Sequence, residues 1–162
     1  MIRACVQVGT YLGLNSAQIR EGISQIKPVP HRLQPISAAG DVLVIDDSYN
    51  GNPAGVREAI SVLNKFTNRR KVFITPGLVE MSEKTQQIHE EVGRLLGQAA
   101  DLVILIRNSV TPYIAEGLKS TNFSERNLRW FETAQEAHAS MVDIIRPGDV
   151  VLFQNDWPDN YL

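Results

Sequence analysis

Five short runs of apolar residues, separated by segments with helical periodicity, constrain this chain more than any other feature of its sequence. The runs are Val42–Ile45, Lys71–Thr75, Asp101–Ile106, Leu128–Phe131 and Val150–Phe153. Each is too short to be a helix of ordinary length, and none alternates apolar with polar residues as a half-exposed strand does. Continuous apolar runs suit strands covered on both faces. Between them lie helical stripes: Val56, Ile60, Leu63 and Phe66; Ile88, Val92, Leu95 and Leu96; Ile114 and Leu118; Ala137, Met141, Ile144 and Ile145. Strand and helix alternate about four times, which predicts an α/β fold. The expected form is a Rossmann-like three-layer sandwich, a mainly parallel sheet with helices on both faces. LQPIS and the Ala39-Gly40-Asp41 turn before Val42 predict a hairpin-type edge strand. Asn52 before Pro53, Ser82, and Thr133 with Glu136 are the expected helix starts.

The first thirty-four residues follow a different pattern. Ile2, Cys5, Val6, Val8 and Leu12 make a loose helical stripe that Gly13 ends. Asn15 and Gln18 have capping-box spacing, and Ile19, Ile23 and Ile26 recur at helical intervals. Pro28 and Pro30 then stiffen an extended linker over residues 28–34. Two short helices cannot enclose a core. The expected organisation is therefore residues 1–34 as the end of a preceding domain plus linker, and 35–162 as a domain of its own.

Bulk properties exclude several classes of function. Sixteen basic against eighteen acidic residues give a net charge of −2. Such a chain has no field to gather a polyanion over its whole surface, so nucleic acid is not an expected partner. No apolar stretch approaches the ~18 residues that cross a bilayer, and the amino terminus has no secretory pattern. The single cysteine, Cys5, excludes an internal disulfide and reads as an inert, packed thiol among apolar neighbours. Together these features predict a cytoplasmic protein.

In sheets of this kind, ligands meet the loops at the carboxyl ends of the strands. The loop after the first parallel strand, DDSYNGNP (46–53), carries two carboxylates, a hydroxyl, a phenol and amides just before a helix start. Carboxylates there can accept from ribose hydroxyls, and helix-start N–H groups favour anions. The plain alternative is a polar turn in which Asn52 is only a cap. The loop TPGLVEMSEKTQQIHEE (75–91) offers Glu80 and His89, although a histidine on a helix is more often structural than a ligand. The last strand ends in FQNDWPDNYL, where Gln154 and Asp156 compete with the reading of a docked tail. No glycine-rich phosphate loop, no Gly-x-Gly-x-x-Gly fingerprint, no Cys/His metal cluster and no nucleophile elbow occur.

These motifs resemble the Mur ligase family. The resemblance rests on GLNSAQIREGISQIKPVPHRLQPI, on VLVIDDSYNGNPAGVREAISVL, and on Glu80, Met81, Ser82, His89 and Gly93. It is strongest from about residue 13 to 66, and the branch it most resembles adds D-alanyl-D-alanine to a UDP-muramoyl tripeptide. It implies the closing, amine-binding carboxy-terminal domain of a three-domain, ATP- and Mg²⁺-dependent amide ligase of peptidoglycan precursor synthesis. Arg32 is similar to the linker arginine that reaches ATP phosphates, and Asp47 to the carboxylate that holds the ATP ribose. Ser48, Tyr49, Asn50, Asn52, Glu80, His89, Gln154 and Asp156 would then face the amine substrate, with no metal ligand in this chain. The implied partners are a UDP-muramoyl peptide, an amino acid or dipeptide, and the amino-terminal and central domains, which hold ATP and Mg²⁺. Without a phosphate loop, this chain alone is expected to be inactive.

The sequence departs from the family pattern in three places. His31 stands where a glycine is usual before the linker arginine. Pro76-Gly77-Leu78 replaces a Gly-Asp-Met, and Gln154-Asn155-Asp156-Trp157 replaces a Lys-Gly-Ser-Arg. Losing both of those cations removes two natural partners for a dipeptide carboxylate, at ~1.5–3 kcal/mol each. The amine acceptor therefore stays open. So does a different class of function, a non-catalytic binding module on the same fold. A folylpolyglutamate- or cyanophycin-type ligase fits the Ser-Tyr-Asn sequence less well.

Overall fold

The computed structural model describes residues 2–49, 51–79 and 81–154. Two helices, α1 (Ile2–Tyr11) and α2 (Ser16–Ser24), precede an α/β unit. That unit runs β1 (Gln34–Ala38), β2 (Val42–Asp47), α3 (Pro53–Leu63), β3 (Lys71–Thr75), α4 (Thr85–Ala99), β4 (Leu102–Ile106), α5 (Thr111–Lys119), β5 (Leu128–Phe131), α6 (Ala134–Ile144) and β6 (Val150–Gln154). The strands form one six-stranded sheet in the order β1-β2-β6-β3-β4-β5. Only β1 is antiparallel, hairpinned onto β2 as expected.

Chirality fixes which face each helix covers. The crossovers β2-α3-β3, β3-α4-β4 and β4-α5-β5 all advance in one direction across the sheet, whereas β5-α6-β6 steps back. Right-handed crossovers therefore put α3, α4 and α5 on one face and α6 on the other. The two cores follow. Val56, Ile60, Leu63, Val92, Leu96, Ile114 and Leu118 pack on Ile45, Phe73, Val103, Leu105, Val150 and Leu152. Ala137, with Met141 and Ile144, packs on Val72, Ile74, Ile104, Ile106 and Val151. Neighbouring residues of one strand thus serve opposite cores, which is why the runs carry no polar alternation.

Helices α4 and α5 approach closely. A Cβ on Gly93 would collide with the Ile114 carbonyl oxygen, and one on Gly117 with the Glu90 carbonyl oxygen. These two glycines set the interaxial distance of that pair.

Several sequence expectations are corrected. Strand β2 continues to Asp47, so Asp46 and Asp47 end the strand instead of opening the loop. Ser82 does not cap α4. It has φ +49 and begins a 3-10 turn, Ser82–Lys84, leaving α4 without a side-chain cap. Thr133 caps α6 by accepting from the Glu136 amide, but the Glu136 carboxylate accepts from Glu132 N instead of closing the box on Thr133. Cys5 is exposed, on a helix that packs mainly against α2 and leaves one side of itself uncovered.

The capping box of α2 forms as read. The Asn15 side chain accepts from Ala17 N and Gln18 N, and the Gln18 side chain accepts from Asn15 N. Gly9 is the one buried residue of α1 and α2, seated against Ile19. Ile2, Val6, Val8, Tyr11, Leu12 and Leu14 are all exposed. No helix of the described residues is long and apolar enough to cross a membrane.

Candidate functional site

The site gathers where the linker crosses the carboxyl end of β2. Residues His31 and Leu33 both have left-handed backbone, with φ +60 and +47. This conformation costs an L-residue ~1–2 kcal/mol, so it needs local compensation. Both carboxylates at the end of β2 supply it. Asp46 Oδ2 lies 2.8 Å from His31 Nδ1, and Asp47 Oδ1 accepts from Leu33 N at 3.1 Å. The Tyr49 amide donates to the His31 carbonyl at 3.3 Å. Between the two kinks, the Arg32 guanidinium lies over the Tyr49 ring, 4.6 Å from its centroid, a favourable cation–π geometry. Arg32 and Asp47, fifteen residues apart, thus share one rim.

Adjacent residues at a strand end face opposite ways, which divides the roles of the two aspartates. Asp46 is the more heavily bonded. Its Oδ1 accepts from the Ser48 hydroxyl at 2.6 Å and from the Ser48 amide at 3.1 Å. Burial pushes its carboxyl up, but the Ser48 hydroxyl and His31 outweigh burial and hold it below the ordinary value. Asp47 accepts a single hydrogen bond among the described residues, and burial raises its carboxyl despite the Leu33 amide and nearby Arg32. A half-buried carboxylate with spare acceptor capacity is the kind of group that recognises hydroxyls.

Register extends the site across the sheet. Asp47 is the partner of Gln154 on β6. Beside it, the Thr75 hydroxyl donates to Gln154 Oε1 at 3.0 Å and accepts from Gly77 N at 2.9 Å. Asp47, Gln154 and Thr75 therefore make a polar row over the core of α3 and α4, at the carboxyl ends of three parallel strands. Gln154 is buried, and its Nε2 has no hydrogen-bond partner among the described residues. The row ends at His89, which is fully buried. Its Nε2 accepts from Leu78 N at 2.9 Å, and its Nδ1 lies 2.6 Å from the Thr85 carbonyl. An acceptor at Nε2 puts the proton on Nδ1, and burial lowers the imidazole below its ordinary value. Both nitrogens are spent inside the protein, so His89 acts by holding the Pro76–Leu78 turn, where Gly77 has φ +89. Asn52 accepts from Gly55 N at 2.9 Å and caps α3 ahead of Pro53. Asn50, Glu80 and Asp156 lie outside the described residues. Sequence reasoning missed Thr75, whose signal was a lone hydroxyl closing an apolar strand. It also missed the bond between His31 and Asp46. No group of three or more His, Cys, Asp or Glu able to hold a metal occurs among the described residues.

The family model described as "Mur ligase, glutamate ligase domain" matches residues 31–154, from the linker to the end of β6. The chain belongs to the Mur ligase family. Among curated relatives, the UDP-N-acetylmuramoyl-tripeptide--D-alanyl-D-alanine ligase of Bacillus subtilis is 20% identical over 93% of this chain and 33% of its own length. The UDP-N-acetylmuramate--L-alanine ligase of Desulfosudis oleivorans is 26% identical over 92% of this chain and 34% of its own. Among solved structures, MurF from Acinetobacter baumannii superposes with a TM-score of 0.73 at 28% identity, covering 93% of this chain and 32% of that one. The Thermotoga maritima MurF ligase in complex with ADP gives 0.72 at 22%, with the same coverages of 93% and 32%. This chain spans about a third of the length of the curated Mur ligases it matches.

Proposed function

We propose that this chain is the closing, amine-binding part of an ATP-dependent ligase. The reaction joins an amino acid or dipeptide to a UDP-muramoyl peptide in the cytoplasm. The carrying observation is the shared rim: the linker turns Arg32 onto Tyr49 directly beside Asp47, at the strand ends where such sheets bind ligands. By name, five of the relatives take D-alanyl-D-alanine and three join L-alanine to UDP-N-acetylmuramate, which favours the dipeptide as the acceptor.

ATP would phosphorylate the terminal carboxylate of the muramoyl peptide. The acceptor amine then attacks the acyl phosphate, and phosphate leaves as the amide forms. Such a reaction needs orientation of two anions and exclusion of water, which a closing domain supplies. Arg32 presents a planar fork suited to phosphate oxygens. Asp47 accepts from the ribose hydroxyls, and Asp46 with Ser48 and His31 fixes the linker that carries Arg32. Ser48, Tyr49 and Asn52 line the junction between nucleotide and amine. The amide of Gln154 is a neutral donor for an acceptor carboxylate where the family pattern has a lysine. Glu80, Asn50 and Asp156 complete the proposed amine side. In this reading Mg²⁺ and most phosphate contacts belong to a neighbouring domain. The exposed apolar side of α1 and α2 fits packing against that domain, since monomers seldom leave contiguous apolar patches uncovered.

Phosphate release by the full-length ligase that this reading implies tests it, using a UDP-muramoyl peptide and a panel of amino acids and dipeptides. Turnover with at least one acceptor is expected. Asp47→Ala should raise KM for ATP about tenfold, the loss of one hydrogen bond to a charged group at the low end of its range. Absence of turnover with every muramoyl peptide would remove the assignment.

A further inference from the structure

At the opposite end of the strands, the amino ends of β3, β4 and β5 and the end of α6 enclose a cleft of about 890 Å³. Six cationic side chains line it: Arg69, Arg70, Lys71, Arg126, Arg129 and Arg146. Against them stand two carboxylates, Asp101 and Asp143. The whole chain has sixteen basic residues and a net charge of −2, so this concentration runs against its overall balance.

Part of the charge has a structural explanation. Arg70 makes a two-pronged bond to the nearly buried Asp149, at 3.0 and 2.6 Å, and donates to the Ile144 carbonyl at 2.7 Å. It thereby satisfies the carboxyl end of α6, where cations are favoured. Arg69 is held by the carboxylate of Asp41 at 2.9 and 3.0 Å, and Arg129 donates to the Arg126 carbonyl at 2.8 Å. Asp101 is occupied by the Lys71 amide at 2.8 Å. No such account covers the side chains of Lys71, Arg126 and Arg146, which pair with no carboxylate among the described residues. The cleft therefore has walls fixed by bonded arginines and three further cations left over. Its lining contains no aromatic ring, so it offers nothing for a base to stack on.

We propose that this cleft is a second site, recognising a small multiply charged phosphate through its oxygens. Guanidinium forks match phosphate oxygens, and the pre-bonded walls lower the cost of ordering them. The site is separate from the rim at Asp47, which lies at the other end of strands that rise ~3.3 Å per residue. An occupant here does not share the nucleotide's contacts, so the inference stands whether or not the ligase reading does.

The test is titration of the chain at low salt with inorganic pyrophosphate, followed by calorimetry and by backbone NMR. Saturable binding is expected, with shifts confined to residues 67–71, 101–102, 126–129 and 143–146. The double variant Arg126→Gln with Arg146→Gln should weaken it at least tenfold, while Arg20→Gln on α2 leaves it unchanged. Both variants are surface changes, and matching thermal melts would establish that each is folded. ADP binding weakened by the same double variant would identify the shared diphosphate as the recognised group. Citrate binding as tightly as pyrophosphate would overturn the phosphate class. Shifts centred on 46–52, or equal weakening by Arg20→Gln, would overturn the site.

Discussion

Replacing His89 separates two contributions that the buried imidazole makes, and each has a distinct pH signature. The ring is fully buried and accepts from Leu78 N through the nitrogen that an extra proton would need. Its native pKa is lowered by burial from 6.5, with the Thr85 carbonyl only partly offsetting this. The sign follows directly. Above about 6.5 the imidazole is neutral in both states and pH does not matter through this group. Below it, the unfolded chain takes up a proton that the folded chain refuses, so stability falls as pH falls toward the native value. The slope reaches ~1.4 kcal/mol per pH unit over that window. Urea unfolding of the chain and of His89→Gln between pH 7.5 and 5.5 isolates this dependence, because both proteins share every other titrating group. The stability of the native sequence should drop by on the order of 1 kcal/mol more than that of the variant. His89→Leu at pH 7.5 measures the other contribution: it orphans the buried Leu78 amide and should cost ~1–3 kcal/mol. Parallel pH curves for the native sequence and His89→Gln would refute a neutral, doubly bonded imidazole.

Asp149→Asn leaves the Arg70 guanidinium partly buried without its carboxylate and should destabilise the chain by ~3–5 kcal/mol in the same urea assay. Gly93→Ala drives a methyl group into the backbone of α5, which no side-chain rotation relieves. A loss of ~1–3 kcal/mol is expected from thermal melting, and an unchanged melting temperature would contradict the contact between α4 and α5.

The alternation of strands and helices was legible because each continuous apolar run serves two cores at once, as Val72, Phe73 and Ile74 do. Caps that rest on a local bond, Asn15 with Gln18 and Asn52 with Pro53, were legible for the same local reason. Ser82 misled because a hydroxyl before a helix can equally sit in a left-handed turn, and only the surrounding backbone decides. The end of β2 was misplaced because charged residues look like loop. Here Asp46 and Asp47 stay in register with Phe153 and Gln154 while their carboxylates bond the linker. His31 looked like a departure from a glycine pattern. The structure supplies the physical content: the position has φ +60, and the bond to Asp46 helps to hold a histidine there. The row of Thr75, Gln154 and Asp47 joins residues far apart in sequence through strand register, which no local pattern encodes.

Hydrogen exchange on the full-length ligase that the proposed function implies, with and without ADP, tests the central claim most directly. The account predicts slowed exchange at residues 31–33 and 46–52 once nucleotide binds. Unchanged exchange over both segments, with protection elsewhere in the protein, would contradict a nucleotide-facing rim.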